Sequence, residues 1–244
     1  MFGWFGNKNK EVVPNFSNIG VDMHSHILPG IDDGAQHIQQ SLTLARHFVE
    51  LGYTKLIATP HIMADYYRNT PATIGAALDI LREGLAKDNV ALEVEAAAEY
   101  YLDEAFENRL AEKKLLTFGN NFVLFELSFI NPPQNLVEVL YKIQDAGYVP
   151  VLAHPERYPY YGSVENLLQI RDSGCNLQIN TIALTGYYGA DARQMAEQLV
   201  DYNAVDFIGS DMHHPKHAAA LKSSMQLPRV QTLIAEGLLN KTLR

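Results

Sequence analysis

Two histidines stand two residues apart near the start of the chain, in the stretch VDMHSHILPGIDDG at residues 21–34. The stretch begins as a buried strand does and then places His24, His26, Asp32 and Asp33 within ten residues. Side chains at i and i+2 of an extended strand point to the same side, so both imidazoles can reach one point in space. Converging imidazole and carboxylate groups are typical of a metal site. This stretch alone also fits a His-x-His pair on a surface strand.

Further imidazole and carboxylate side chains follow the other predicted strands. Seven strands are predicted, over residues 19–23, 55–59, 91–98, 122–127, 149–153, 176–180 and 205–209. At or beyond the carboxyl ends of six of them lie His24 and His26, His61, Glu99, Glu126, His154, and Asp211 with His213. A single His or Glu in such a place is more often a helix cap or a surface residue. Because six strands repeat the pattern, we interpret these residues as one metal site.

The segments between the strands predict the elements that position this site. Amphipathic helices are predicted over 38–51, 72–87, 103–113, 134–146, 163–173 and 190–202. Strands that alternate with helices indicate parallel βαβ units. No Gly-x-Gly-x-x-Gly sequence follows the first strand, which disfavours a dinucleotide-binding open sheet. The sequence therefore predicts an α/β fold, a distorted TIM-like (β/α)7 barrel, with its active site at the carboxyl ends of the strands.

The chain is predicted to form one domain. Its 244 residues suit a single α/β barrel, and a hydrophobic fraction of 47% is ordinary for a protein with a sizeable core. No internal repeat or long linker divides the sequence. Residues 1–17 are predicted to be a flexible extension and 18–244 the domain, with a final packing helix and tail over 228–244.

Composition narrows the expected partners and location. No segment approaches the about 18 uninterrupted apolar residues of a membrane-spanning helix. The beginning of the chain lacks the apolar region of a signal peptide. The single cysteine, Cys175, excludes an intramolecular disulfide framework, so a cytoplasmic location without membrane insertion is expected. The net charge of −9 argues against a nucleic-acid partner.

The motifs DMHSHILPGIDDG, AEYY, FELS, AHPERY and SDMH together resemble a known superfamily. They are similar to the polymerase and histidinol phosphatase (PHP) superfamily, and within it to the manganese-dependent protein-tyrosine phosphatases of bacterial capsular and exopolysaccharide gene clusters. The resemblance runs from about Ile19 to the end of the chain and implies three divalent metal ions. It assigns His24, His26, Glu99 and Asp211 to one ion, Glu99, Glu126 and His154 to a second, and Asp33, His61 and His213 to a third.

The resemblance implies a phosphoric monoester hydrolase that acts on phosphotyrosine, with the tail of a polysaccharide-export tyrosine kinase as the expected partner. Clustered divalent ions would neutralise the phosphoryl oxygens and activate a water as hydroxide for in-line attack. Imidazole and carboxylate ligands suit manganese, iron or zinc, and manganese is the expected metal. Two alternatives are a histidinol-phosphate-type small-molecule phosphatase on the same site and a non-enzymatic scaffold, which nine ligands disfavour.

Catalytic roles beside metal binding are expected for Asp211 and for Arg157, three residues after His154. A guanidinium there can bind two phosphoryl oxygens at once, whereas the alternative is a solvated loop arginine. After SDMH the related phosphatases often have another arginine, where this chain reads HPKHAAA. Lys216 and His214 are the candidate substrate-binding replacements.

Two further features concern the mechanism. Cysteine-dependent tyrosine phosphatases need Cys-x5-Arg, but the residue six positions after Cys175 is Thr181, which excludes that mechanism. Tyrosine pairs stand at 66–67, 100–101, 160–161 and 187–188, after predicted strands. They are consistent with packing and equally with a slot for a phenolic substrate.

Overall fold

Nine short strands and eight α-helices alternate along residues 15–244, the part of the chain that the computed structural model describes. The strands are β1 (Val21–Asp22), β2 (Lys55–Ala58), β3 (His61–Ile62), β4 (Glu93–Ala96), β5 (Glu99–Tyr101), β6 (Phe122–Glu126), β7 (Val149–Ala153), β8 (Asn176–Asn180) and β9 (Phe207–Gly209). The helices are α1 (Ile38–Glu50), α2 (Pro71–Lys87), α3 (Glu104–Ala111), α4 (Leu136–Asp145), α5 (Val164–Asp172), α6 (Ala190–Asp201), α7 (Pro215–Ser224) and α8 (Pro228–Ala235).

All of the strand pairs are parallel, and they follow chain order around a barrel. β1, β2 and β4 form one group and β3, β5, β6, β7, β8 and β9 the other. β2 and β3 occupy one strand position, interrupted before Pro60, which has no N–H to donate. β4 and β5 share the next position in the same way. The predicted seven-stranded barrel is confirmed, and these interruptions are its distortion.

The first and last strand positions meet and close the ring. Ser25 and Met212 form a parallel bridge just beyond β1 and β9. The N–H of Asp211 donates to the carbonyl of His24 at 2.8 Å, and the N–H of His26 donates to the carbonyl of Met212 at 3.0 Å. Histidines and carboxylates from the two ends of the domain are therefore neighbours.

The alternation of side chains along β6 shows how a strand carries a ligand to the rim. Val123 and Phe125 pack in the large apolar layer that includes the helices. Phe122 and Leu124 belong to a separate small cluster with residues of the other strands, which fills the barrel interior. Because residues i, i+2 and i+4 share a face, Glu126 follows Phe122 and Leu124 on the inward side. Glu126 is the last residue of β6, so its side chain lies at the mouth of the barrel interior.

The packed domain begins earlier than predicted, and the predicted final helix and tail divide at Ala235. Of the predicted extension 1–17, residues 1–14 lie outside the described part of the chain. Phe16 is fully buried and its ring stacks on Tyr53 at 4.9 Å, so the packed domain begins before residue 18. The predicted final helix ends at Ala235 and is followed by a 3-10 helix, Leu239–Leu243.

Helix α7 was not predicted, although Pro215 in its first turn is a typical helix-start signal. The helix carries the HPKHAAA segment, so its omission matters for the site. None of the helices within residues 15–244 is long and apolar enough to cross a membrane.

Candidate metal centre

The nine predicted ligand residues converge at one end of the barrel. Their nitrogen and oxygen atoms form four overlapping groups, within each of which the atoms lie no more than 4.8 Å apart. The groups are His26, Asp33, His61 and His213; His24, Glu99 and His154; His24, His26 and Asp211; and His61, Glu99 and Glu126. Every one of the nine residues belongs to at least one group.

The groups agree in part with the assignment that the resemblance implies. Asp33, His61 and His213 again lie together, now with His26 beside them. His24 also faces Glu99 and His154, so it lies between two groups. The division of the nine residues among individual ions remains a proposal.

Glu99 lies at the centre of the cluster and is fully buried. Its Oε2 is 3.2 Å from His24 Nε2, 3.3 Å from His26 Nε2 and 3.1 Å from His61 Nδ1. Its Oε1 is 2.9 Å from His154 Nε2. Burial alone would raise the pKa of Glu99, but the charges of His24 and His61 outweigh it and hold the pKa well below its usual range.

Within residues 15–244, three buried polar atoms of the cluster have no hydrogen-bond partner, namely Glu99 Oε2, His61 Nδ1 and His154 Nδ1. A buried polar atom without a partner costs free energy. Coordination of a divalent ion by Glu99 Oε2 and the imidazole nitrogens around it would remove part of that cost. Imidazole nitrogen and carboxylate oxygen are also the donor types that manganese, iron and zinc accept. The residues present therefore fit a cluster of divalent ions.

Two polar side chains behind the cluster orient its histidines. His24 Nδ1 donates to Gln178 Oε1 at 2.8 Å, and His26 Nδ1 donates to Asp32 Oδ2 at 2.8 Å. Asp32 Oδ1 in turn accepts the N–H of Gly34 at 2.9 Å. With Nδ1 occupied, each ring presents Nε2 to the cluster, which is how metal-binding histidines are commonly held.

The two carboxylate oxygens of Asp211 face different neighbours. Oδ1 lies 3.5 Å from His24 Nε2. Oδ2 accepts hydrogen bonds from Arg157 Nη1 at 3.1 Å, Asn180 Nδ2 at 2.7 Å and the Tyr188 hydroxyl at 3.3 Å. Burial alone would raise the pKa of Asp211, but His24 and its other charged neighbours hold the pKa well below its usual range. Asp211 is thus an ionised carboxylate that anchors Arg157 rather than a proton donor, and its role as a metal ligand stays a prediction.

The backbone is strained at two of the ligands. His154 has φ +34° and Asp211 has φ +49°, in the left-handed region that non-glycine residues rarely adopt. His154 comes directly after β7 and Asp211 two residues after β9. Such strain is stored mainly at functional sites, where it directs side chains that a regular strand would point elsewhere.

Arg157 lies at the edge of the cluster between two aromatic rings. Its Cζ is 4.6 Å from the centroid of Phe129 and 4.4 Å from that of Tyr188. Contact with both rings restrains the guanidinium. The hydrogen bond to Asp211 uses one of its five N–H donors.

A cavity of about 560 Å³, which we call the metal-site cavity, opens above the cluster. Its walls include six of the nine ligand residues, Arg157 and several aromatic side chains. Three tyrosine pairs each contribute their second member, namely Tyr67, Tyr101 and Tyr188. Neighbouring side chains in extended backbone point to opposite sides. Tyr100 accordingly points into the core, where its hydroxyl accepts the N–H of Leu116.

The HPKHAAA segment places two histidines in the cavity wall. His214 lines the cavity, whereas Lys216 is exposed and is not part of the wall. His217, which the sequence did not single out, also lines it, and its Nδ1 donates to the carbonyl of Asp211 at 2.8 Å. Burial lowers the pKa of His217 to about 4. Of the two predicted replacements for the second arginine, the structure brings only His214 to the site.

A closed parallel barrel with imidazoles, carboxylates and one arginine at the carboxyl ends of its strands is a metal-dependent hydrolase architecture. Residues 20–229 match the family model described as "Capsular polysaccharide synthesis, CpsB/CapC", and the chain belongs to this family. The membership expected from the sequence motifs is confirmed.

Curated relatives and a solved structure agree with this assignment. The chain is 34% identical over 198 residues to "Tyrosine-protein phosphatase YwqE" of Bacillus subtilis (strain 168), covering 80% of this chain and 78% of the relative. It is 26% identical over 201 residues to "Tyrosine-protein phosphatase CpsB" of Streptococcus agalactiae, covering 80% and 83%. It superposes with TM-score 0.81 and 32% identity, covering 91% and 90%, on a structure described as "Crystal structures of YwqE from Bacillus subtilis and CpsB from Streptococcus pneumoniae, unique metal-dependent tyrosine phosphatases".

Proposed function

We propose that this protein is a metal-dependent tyrosine-protein phosphatase, a phosphoric monoester hydrolase. The observation that carries the proposal is the buried cluster of nine imidazole and carboxylate residues beside Arg157, at the mouth of an open cavity. Relatives that share most of the chain are named tyrosine-protein phosphatases, which supports the same activity.

The nine residues of the cluster would hold divalent ions, and we propose three manganese ions. The ligand residues are His24, His26, Asp33, His61, Glu99, Glu126, His154, Asp211 and His213. When bound, such ions neutralise phosphoryl oxygens and lower the pKa of a water toward neutrality. The protein contributes a rigid arrangement, since the imidazoles of His24 and His26 are already aimed by Gln178 and Asp32.

Arg157 would bind the phosphoryl group. Its guanidinium is restrained by contact with Phe129 and Tyr188 and by the hydrogen bond to Asp211, which leaves four further N–H donors on the fork. A planar fork suits two phosphoryl oxygens at once. We propose His214, which lines the same cavity, as the second substrate-binding residue.

The cavity wall favours an aryl phosphate over histidinol phosphate. Tyr67, Tyr101 and Phe129 line it, and they offer aromatic surface against which a phenolic ring can stack. A cysteine-dependent mechanism is disfavoured a second time, because Cys175 is buried and burial raises the pKa of its thiol.

The expected partner is a phosphotyrosine-containing protein, and we propose the tail of a polysaccharide-export tyrosine kinase, in the cytoplasm. The support for this partner is membership of a family described by capsular polysaccharide synthesis. Manganese and the PHP assignment rest on the motif resemblance and on the donor types of the cluster.

The proposal is tested by replacing His24 and His26 together with alanine. We expect loss of bound metal and of phosphotyrosyl peptide turnover, with a folded barrel by circular dichroism. His47→Ala, at a half-buried position of α1 remote from the cluster, is the matched control and keeps both. Full turnover by metal-stripped protein, or a preference for histidinol phosphate in parallel assays, contradicts the proposed function.

A further inference from the structure

A second cavity of about 560 Å³, which we call the flanking cavity, adjoins the metal-site cavity. The two cavities share Phe129, Arg157 and Tyr188 as lining residues. These are the residues of the stacked arrangement around the guanidinium, so one layer of side chains separates the cavities. On its far side the flanking cavity is bounded by the loop after β7 and by α6.

The lining of the flanking cavity suits an uncharged aromatic group. Phe129, Tyr158, Pro159 and Met195 supply aromatic and apolar surface, and Met195 adds a thioether that contacts rings favourably. Gln194 and Gln198, also in the wall, offer amide groups for a hydroxyl or a peptide group.

Charges of both signs disfavour an ionic occupant. A cationic side chain would approach the guanidinium of Arg157, which is part of the wall. An anionic side chain would approach the exposed carboxylate of Asp191. Arg157 repels a cationic side chain, and the carboxylate in the wall repels an anionic one. A neutral ring meets neither repulsion.

We propose that the flanking cavity is a subsite for an aromatic side chain of the phosphotyrosyl peptide, within two residues of the phosphotyrosine. This inference rests on the proposed function. Side chains i and i+2 of an extended peptide lie on the same side about 7 Å apart, which is enough to straddle a wall one side chain thick. The cavity thus selects peptide sequence, whereas a small aryl phosphate engages the metal-site cavity alone.

The first test compares peptide substrates on the wild-type, metal-loaded protein. Phosphotyrosyl peptides carry Phe, Ala, Lys or Glu two residues before or after the phosphotyrosine, and a small aryl phosphate is assayed beside them. We expect kcat/KM for the better Phe peptide to exceed that of its Ala counterpart about tenfold, from partial burial of the ring. Lys and Glu peptides should not exceed Ala. Equal values for Phe and Ala, or a preference for Lys or Glu, overturn the proposal.

The second test fills the cavity. Gln194 is exposed on α6 and lines the flanking cavity, and Gln194→Trp should bring the Phe-to-Ala ratio of kcat/KM close to one. The matched control is Gln39→Trp on α1, which lines a third cavity of about 400 Å³ beside Asp33 and His213. We expect the control to retain the wild-type ratio.

The outcomes separate this proposal from the proposed function. A ratio lost only in Gln39→Trp assigns the subsite to the third cavity and overturns the inference. Turnover of the small aryl phosphate with no peptide preference does the same while leaving the phosphatase activity intact. Failure of the wild-type protein to hydrolyse any phosphotyrosyl substrate rejects the function itself.

Discussion

At the scale of single residues, Asp32 shows that the centre also depends on residues that orient the predicted ligands. Its two carboxylate oxygens are each committed, Oδ2 to His26 Nδ1 and Oδ1 to the N–H of Gly34. Burial alone would raise the pKa of Asp32, but the charge of His26 outweighs it and the pKa is lowered. An ionised Asp32 keeps the proton of His26 on Nδ1 and leaves Nε2 free for the cluster.

The first prediction is that Asp32→Ala weakens metal binding. Without its hydrogen-bond partner the His26 ring loses orientation, and we expect the affinity for manganese to fall about 10- to 100-fold. Manganese titration followed by calorimetry measures the change. Asp79→Ala, on the exposed side of α2, is the control and should bind as the wild type does. An unchanged affinity would show that Asp32 does not position His26.

The second prediction concerns Arg157 and separates substrate binding from metal binding. Arg157→Ala should keep its metal content. Loss of a charge-assisted contact worth about 1.5–3 kcal/mol should reduce kcat/KM about ten- to two-hundredfold. Arg157→Lys should recover only part, because an ammonium neither forks nor stacks as a guanidinium does. Metal analysis and phosphotyrosyl peptide kinetics on the two variants provide the measurement.

An Arg157→Ala variant with wild-type kinetics would make Arg157 a structural partner of Asp211 alone. His214 would then be the remaining candidate in the cavity wall for binding phosphate.

The sequence was sufficient to find the ligands but not the residues that support them. The ligands are predictable because imidazoles and carboxylates recur at strand ends, where parallel barrels gather them. Gln178 and Asn180 carry no such signature, since buried amides serve many structural roles. The available signal was that Gln178 and Asn180 stand at i and i+2 of buried β8 and so share one face. β8 is the one predicted strand without a predicted ligand. His217 was missed because its role depends on α7.

At the scale of elements, the loop after β1 must fold back so that Asp32 and Asp33 lie against the histidines that follow the strand. Gly34 lies so close to His26 that an added Cβ would fall 2.0 Å from the His26 carbonyl oxygen and 2.5 Å from its Cβ. No side chain fits there without moving backbone. The loop therefore depends on glycine to hold Asp32 and Asp33 against the cluster.

The third prediction is that Gly34→Ala damages both stability and the centre. Displacement of the loop should lower the free energy of unfolding by about 1–3 kcal/mol and reduce manganese affinity. Gly75→Ala is the matched control, because Gly75 lies inside α2, and outside its own helix backbone and chain neighbours the described residues place no heavy atom within 4 Å of the added Cβ. There alanine should stabilise the protein by about 0.5–1 kcal/mol. Urea unfolding of both variants measures the decrease and the increase in the free energy of unfolding. A Gly34→Ala protein as stable as the wild type would refute the close contact.

Alternation and helix-end signals predicted the existence and order of the elements. What they could not show is that two strand positions are each built from two pieces, as at Pro60 between β2 and β3. Pro60 is a local signal for the first break, because it has no N–H to donate. Ala97 and Ala98 between β4 and β5 give no such signal, so the second break could not be read from the local sequence. The packing of Phe16 into the domain was also missed, because its ring stacks on Tyr53, which is distant in the sequence.

At the scale of the whole molecule, the centre couples stability to pH. In protein stripped of metal, burial alone would lower the pKa of His24, but the charges of Glu99 and Asp211 outweigh it and raise the pKa to about 9. The ordinary value is 6.5. A pKa raised by folding stabilises the folded state fully below pH 6.5, and that contribution is lost as pH rises toward 9.

The fourth prediction follows from this loss of stability with rising pH. The Tm of the metal-stripped protein should fall as pH rises from 6.5 to 9. Protein reloaded with manganese should lose less, because the ions take the place of the protons on the histidines. Thermal unfolding followed by circular dichroism at several pH values, with and without chelator, measures both curves. A stripped protein whose Tm rises over this range would contradict the protonation of the cluster.

The bridge between Ser25 and Met212 has a consequence for how the protein matures. His24 and His26 are synthesised well before Asp211 and His213, yet all four belong to one cluster. A nascent chain that ends before β9 already contains Asp32 and Gln178, but it lacks Asp211, His213 and the backbone bridge to Met212. Closing contacts between distant segments are late events in folding. The complete cluster of nine residues therefore forms only when the last strand position joins the first.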